Sequence, residues 1–250
     1  MNPTPINISF LETVYSKNVE KQTLDEIIAV IRLGALADKI KKLRAIKDEN
    51  KRKQYKSEFP AFFPTVLLGT KNILGEDSQP TGIIQFDVDK KDNPKLDFDL
   101  LSQEIKNLPE TIYAFKSPSE GLKFGLLTDF QRALDEKIQT LQDRFKQAYR
   151  LVSDYVVDSV AMPFIIDDSA GHLKHSCFLS SDPTAYFNPD CKKLAVDASC
   201  SPLPVKQKAL LQLKQSIKPV SLIYCHTYQQ IMTIRNVYLL MLLCWLNWDI

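Results

Sequence analysis

The chain has 250 residues, 44% of them hydrophobic and 25% charged, with 7 glycines and a formal net charge of +2. Such a composition excludes a fibrous repeat and wholesale disorder, and so small a charge does not by itself demand a nucleic-acid partner. The cysteines Cys177, Cys191, Cys200, Cys225 and Cys244 are odd in number and lack C-x-x-C spacing, which favours reduced thiols over a disulfide frame or a zinc site.

Met1-Asn2-Pro3-Thr4-Pro5 shows no basic segment followed by an apolar core, so no secretory signal is read and the protein is expected to be cytoplasmic. Thr23-Leu24-Asp25-Glu26 has capping-box form and opens a predicted helix reaching toward Ala45, with Gly34 a weak point inside it. The chain then turns basic from Lys39 to Lys56. A charge run is ordinarily a solvated helix face; the functional alternative is a surface for nucleic-acid phosphates, carried by Lys41, Lys42, Arg44, Arg52 and Lys53. Phe59-Pro60-Ala61-Phe62-Phe63-Pro64 breaks the helix and supplies aromatic core.

Residues 82–89, Gly-Ile-Ile-Gln-Phe-Asp-Val-Asp, read as a strand ending in Asp-x-Asp. Positions i and i+2 of a strand share a face, so Asp87 and Asp89 lie side by side and Phe86 and Val88 face the other way. Paired carboxylates repel unless a cation sits between them, and Mg²⁺ takes such oxygens together with substrate phosphates. The ordinary alternative is a solvated strand end and turn. A helix follows from Asp97 or Asp99 to Asn107, then strands at 110–116 and 122–127. Thr128-Asp129-Phe130-Gln131 reads as a second capping box opening a long helix through Val156, and residues 176–180 read as a fourth strand. The order βαββαβ is that of an α+β, RRM-like or ferredoxin-like palm, with helices on one face, an open sheet surface on the other, and an N-terminal helical extension.

Residues 1–195 are read as this domain and 196–250 as a linker and an apolar helical segment. The strongly apolar run 237–248 is too short to span a bilayer. A buried helix, or an end left bare where a longer chain has been cut, fits it better than a membrane anchor.

In the βαββαβ plan the first strand is central, between the third and fourth and antiparallel to both. A third carboxylate beside Asp87 and Asp89 is therefore expected just before the fourth strand, at Asp167 or Asp168. Asp182, after that strand, is expected at the far sheet end and is the weaker metal candidate, a turn residue before Pro183. Lys123 is expected beside the carboxylates, preceded by Ser117, Ser119 and Gly121. That set suits triphosphate oxygens and equally an ordinary hairpin. His172 and His175 read as surface residues, since no cysteine pair or H-E-x-x-H supports zinc.

Taken together, Phe86-Asp87-Val88-Asp89, Ser117-Pro118-Ser119-Glu120-Gly121-Leu122-Lys123, Ile166-Asp167 and the run from Cys177 to Pro189 resemble the VirE N-terminal-type family, which looks like a branch of the archaeo-eukaryotic primase, or primase-polymerase, superfamily. The likeness reaches upstream to Asp48, Lys56 and Phe59-Pro60-Ala61. It implies a two-metal nucleotidyltransferase, with Asp87, Asp89 and Asp167 holding Mg²⁺ or Mn²⁺. Ser117, Ser119, Lys123 and His175 would contact the nucleotide. The implied partners are nucleoside triphosphates, a single-stranded DNA template and a helicase module or protein, in replication of a mobile element or phage, with no membrane. Two departures stand out: Glu120 occupies the second motif, which is one residue short, and His175 stands where relatives tend to carry an arginine. The rival readings are a nucleic-acid-binding or regulatory module that kept the fold without turnover, and a metal-dependent nuclease or phosphoesterase.

Overall fold

A computed structural model describes residues 5–196. The readings placed on residues 197–250 lie outside the described residues. In chain order the elements are β1 (Asn7–Leu11), β2 (Glu20–Thr23), α1 (Leu24–Leu33), α2 (Ala37–Ala45), α3 (Glu49–Lys56), β3 (Ala61–Phe63), β4 (Val66–Leu67), β5 (Gln79–Pro80), β6 (Ile83–Val88), α4 (Phe98–Lys106), β7 (Thr111–Lys116), β8 (Leu122–Leu127), α5 (Ile138–Ser159), β9 (Cys177–Phe178) and β10 (Tyr186–Phe187). Among the described residues the fold is thus mixed α+β, with five helices and sheets whose strands pair antiparallel.

The capping box at Thr23 is formed: the Thr23 N–H and hydroxyl both donate to Glu26 Oε2, at 2.9 and 2.8 Å. The expected helix through Ala45 is two helices. Gly34 takes a left-handed φ of 72° and caps α1, and the chain restarts as α2. Asp97 accepts the Asp99 and Leu100 N–H groups and so starts α4 where the sequence placed it.

One sheet has the order β10-β7-β8-β6 and a second β2-β1-β3-β9. On β6 the alternate residues Ile84, Phe86 and Val88 face α4 and α5, joining Leu101, Phe145 and Val152 in one core. Phe86 stacks on Phe124 with ring centroids 5.2 Å apart and meets Tyr149 at 5.1 Å. Burying one such ring contributes about 1.5–3 kcal/mol. The opposite face is not the open surface expected from the βαββαβ plan. Ile83, Tyr113 and Phe115 on that side join Ile27 and Ile28 of α1 and Phe62 of β3 in a second core. A sheet face carrying aromatic side chains must be covered, and here the N-terminal elements cover it.

Two further expectations fail for identifiable reasons. The predicted fourth strand does not lie beside β6; β9 pairs with β3 through Ala61↔Phe178 and Phe62↔Cys177. The chain before β9 meets β6 where the Asp167 N–H donates to the Asp87 carbonyl at 2.8 Å and where the Gln85 side chain donates to the His175 carbonyl at 3.5 Å. Between these contacts it turns away through a short 3-10 turn, Asp168–Ala170. Nor does the long helix start at Thr128. That hydroxyl donates to the Gly82 carbonyl and accepts the Phe130 N–H, so the Thr-x-x-Gln pattern ties a loop to β6, and α5 begins ten residues later at Ile138. No helix among the described residues is long and apolar enough to cross a membrane.

Candidate active site at the carboxylate end of β6

Asp87 is the last charged position inside β6, and the antiparallel register sets Lys123 of β8 directly opposite it. Cross-strand partners share a face, so the Lys123 ammonium donates to Asp87 Oδ2, with side chains only 4% and 13% exposed. Burial disfavours a charged ammonium, but the Asp87 carboxylate outweighs it and holds the lysine above its ordinary range. The other carboxylate oxygen, Asp87 Oδ1, is buried and accepts no hydrogen bond among the described residues. A desolvated anionic oxygen without a partner is unfavourable.

Asp89 follows just beyond the strand, half-buried, with the exposed Lys91 ammonium at 3.5 Å. Asp167 joins the same end through its backbone bond to Asp87, and Tyr149 donates its hydroxyl to the Asp167 carbonyl at 3.1 Å. Partial burial pushes the Asp167 carboxyl up. The Ser169 N–H and hydroxyl, at 2.9 and 2.8 Å, win and hold it below the usual range. Asp168 is exposed in the adjoining turn.

Asp182 is placed otherwise than expected. It lies not at the far sheet end but beside Lys116, level with Leu122 and Val88, and two strands away from β6. One of its oxygens accepts the Lys116 N–H at 2.8 Å and the other the Thr184 N–H and hydroxyl, so it serves as a turn-closing residue.

The segment between β7 and β8 forms the wall next to Lys123. Ser117 is buried, and its hydroxyl oxygen accepts the Gly121 N–H at 2.9 Å; Ser119 is exposed. A side chain at Gly121 would sit 2.3 Å from the Val88 carbonyl, so only glycine lets this turn close on β6. Glu120 occupies the left-handed region with φ 68°. Its carboxylate pairs with Lys90 at 3.1 Å, and that hydrogen bond holds it below the usual range. The negative charge that would repel a triphosphate is thereby partly offset. His175 faces the same end, where burial and the nearby Lys123 charge favour its neutral ring. His172 is exposed.

The basic run divides. Lys41 and Lys42 on α2 and Arg52 and Lys53 on α3 are exposed, Lys53 paired with Glu49 at 2.9 Å. Arg44 instead donates to the Pro118 carbonyl at 3.1 Å and the Ser117 carbonyl at 3.4 Å, tying α2 to the β7–β8 turn. Lys56, which the sequence reading left in the basic run, turns inward. Its ammonium lies 5.0 Å from the Phe178 ring and has no ion-pair partner among the described residues. Burial and the Lys123 charge lower it, against the pull of Asp87 and Asp89. Its place as the last residue of α3, just before the apolar Phe59 segment, was the available sign that it points into the core.

Among the described residues no three His, Cys, Asp or Glu side chains are already grouped as a metal site. The donors nonetheless suit a hard divalent cation. They are carboxylate oxygens at one strand end, and the buried Asp87 Oδ1 has no other partner.

No curated protein and no solved structure matches the chain. Residues 54–187 match the family described as BT4734-like, N-terminal domain, a span that contains Lys56, Asp87, Asp89, Lys123, Asp167 and His175. With just over half of its 250 residues matched in this way, the chain belongs to the BT4734-like N-terminal domain family.

Proposed function

We propose that the carboxylate end of β6 is the active site of a metal-dependent nucleotidyltransferase of the primase-polymerase type, with β6, β7 and β8 as an RRM-like palm. The resemblance to the VirE N-terminal-type branch supplies the reaction. The observation that carries the reading is Asp87 Oδ1, a buried carboxylate oxygen without a partner among the described residues, at the strand end that Asp89 follows and to which the Asp167 backbone is hydrogen-bonded. Asp87, Asp89 and Asp167 would hold Mg²⁺ or Mn²⁺. Bound there, the ions lower the pKa of an attacking 3′-hydroxyl and offset charge on the pyrophosphate leaving group.

The chain's own groups do the positioning. Lys123 and Lys56 bring two ammonium groups to the β6 end and offset triphosphate charge, and His175 adds a ring N–H donor while neutral. Ser119 presents an exposed hydroxyl, and Ser117 with Gly121 fixes the turn that carries it. Lys41, Lys42, Arg52 and Lys53 face solvent and suit a template backbone; Arg44 positions the turn.

One observation favours a second reading, a nucleic-acid-binding module without turnover: Lys123 already neutralises Asp87 from within. The deciding experiment incubates the protein with Mg²⁺ or Mn²⁺, labelled ribo- or deoxyribonucleotides and a single-stranded template. Extension that disappears in Asp87→Ala and Asp89→Ala is the expected result. Binding without extension favours the second reading, and metal-dependent shortening of the template would make the protein a nuclease.

A further inference from the structure

Away from the carboxylates, the loop between β1 and β2 faces the loop between β4 and β5 across a cleft of ≈ 490 Å³. That volume lies in the range of small-ligand sites. Among the described residues its walls include Tyr15, Lys17, Asn18, Lys71, Asn72 and Ile73, with two ammonium groups and no carboxylate. Tyr15 is 73% exposed and Ile73 63%.

The cleft is held in shape by its own polar contacts. Tyr15 donates its hydroxyl to Ser57 Oγ at 2.9 Å, which fixes the ring while leaving its face in solvent. Asn72 donates through Nδ2 to the Ser16 carbonyl at 3.1 Å and through its N–H to the Lys17 carbonyl at 2.9 Å, joining the two loops. Lys174 donates to the Asn72 carbonyl at 2.8 Å from behind. Asn18 and Lys71 complete an isolated antiparallel bridge.

An exposed aromatic face and an exposed aliphatic side chain in one cleft suit a flat apolar ring. Flanking ammonium groups with no competing acid accept an anion repeated along a chain. Both demands are met by single-stranded nucleic acid, whose unstacked bases offer free faces between phosphates. A duplex hides those faces. We infer that this cleft holds one nucleotide of a single strand, with Tyr15 and Ile73 gripping the base and Lys17 and Lys71 the adjoining phosphates.

Two residues that hold the cleft in shape are sequence neighbours of residues placed in the proposed active site. Ser57, which receives the Tyr15 hydroxyl, follows Lys56, and Lys174, which braces Asn72, precedes His175. That the strand is a template rests on the proposed function.

The test measures binding of a short fluorescein-labelled single strand to the full chain by anisotropy, in chelator and without divalent metal. DNA and RNA versions are run in parallel to show which sugar the strand carries. Tyr15→Ala is expected to weaken binding about 5- to 150-fold, the cost of one lost base stack, while Tyr15→Phe keeps most of the affinity. Lys17→Gln with Lys71→Gln is expected to flatten the log K against log salt slope by roughly 1.4. Unchanged melting of Tyr15→Ala guards against unfolding. Wild-type affinity in Tyr15→Ala, a duplex bound as tightly as the strand, or an acidic peptide bound with the same Tyr15 dependence would each overturn the inference. Template extension by the wild type with binding unaltered in Tyr15→Ala sinks the cleft and spares the proposed function. Tyr15-dependent binding without any extension does the reverse.

Discussion

Replacing Lys123 by methionine keeps the unbranched apolar stem to within one atom and removes the charge, so it isolates what the buried pair with Asp87 is worth. Asp87 Oδ1 already lacks a partner, and the substitution strips Oδ2 of the Lys123 bond as well. Both side chains are far less than a third exposed, at 4% and 13%, so water cannot screen the stranded carboxylate. Removing one partner of such a pair costs about 3–5 kcal/mol. For a chain of this size that corresponds to a fall in Tm of about 6–20 °C. The assay is urea and thermal unfolding of wild type, Lys123→Met, Asp87→Asn and the double variant. The double variant is expected to lose less than the sum of the two singles, because neither is then left with an unpaired buried charge. A loss below about 1 kcal/mol in Lys123→Met, or strict additivity, would show that the pair is not the buried, coupled unit described here.

The same pair fixes a pH dependence. The folded-state value of Lys123 is raised above the unfolded one, so its stabilisation is fully present below about 10.4 and is lost as pH rises through the folded value. Urea unfolding should therefore give the same Lys123→Met deficit at pH 7 and pH 9, and a smaller one only above about 10.4. Burial pushes the Cys177 thiol up to about 12. Iodoacetamide at mildly alkaline pH should leave Cys177 unmodified in the native protein and label it in urea, read by peptide mass spectrometry. Gly121→Ala would drive a methyl to within 2.3 Å of the Val88 carbonyl, costing about 1–3 kcal/mol in urea unfolding and loosening the turn beside Lys123. Lys56→Met, if the proposed function holds, should raise the KM for the nucleoside triphosphate more than it lowers kcat.

The features legible in the sequence were those governed by local rules. The βαββαβ order pairs its first and third strands antiparallel, and that pairing, β6 with β8, does set Lys123 opposite Asp87. Thr23 with Glu26, and Asp97 before Phe98, announced helix starts through the backbone N–H groups they satisfy. Asp167 is expected there because a fourth strand would lie beside the first; that pairing is absent, yet the Asp167 N–H meets the Asp87 carbonyl. What escaped depends on distant partners. A two-residue strand such as β9 carries no periodicity, so its choice of β3 over β6 is set by tertiary packing. The Thr128 hydroxyl bonds both the Phe130 N–H and the Gly82 carbonyl, and only the first of these is local. The cover over Tyr113 and Phe115 comes from α1 and β3, far upstream in the chain. Lys56 was hidden among neighbours of the same charge that face water.

Mn²⁺ titration followed by electron paramagnetic resonance tests, without requiring turnover, the proposed binding of a divalent cation at the end of β6 by Asp87, Asp89 and Asp167. The wild type is expected to remove the free-ion spectrum. Asp89→Asn, the least buried change at the two ends of the Asp-x-Asp pair, should weaken uptake by about 10-fold or more while leaving the melting temperature intact. A wild-type protein that leaves the Mn²⁺ spectrum free, or an Asp89→Asn variant that binds as the wild type does, would contradict it.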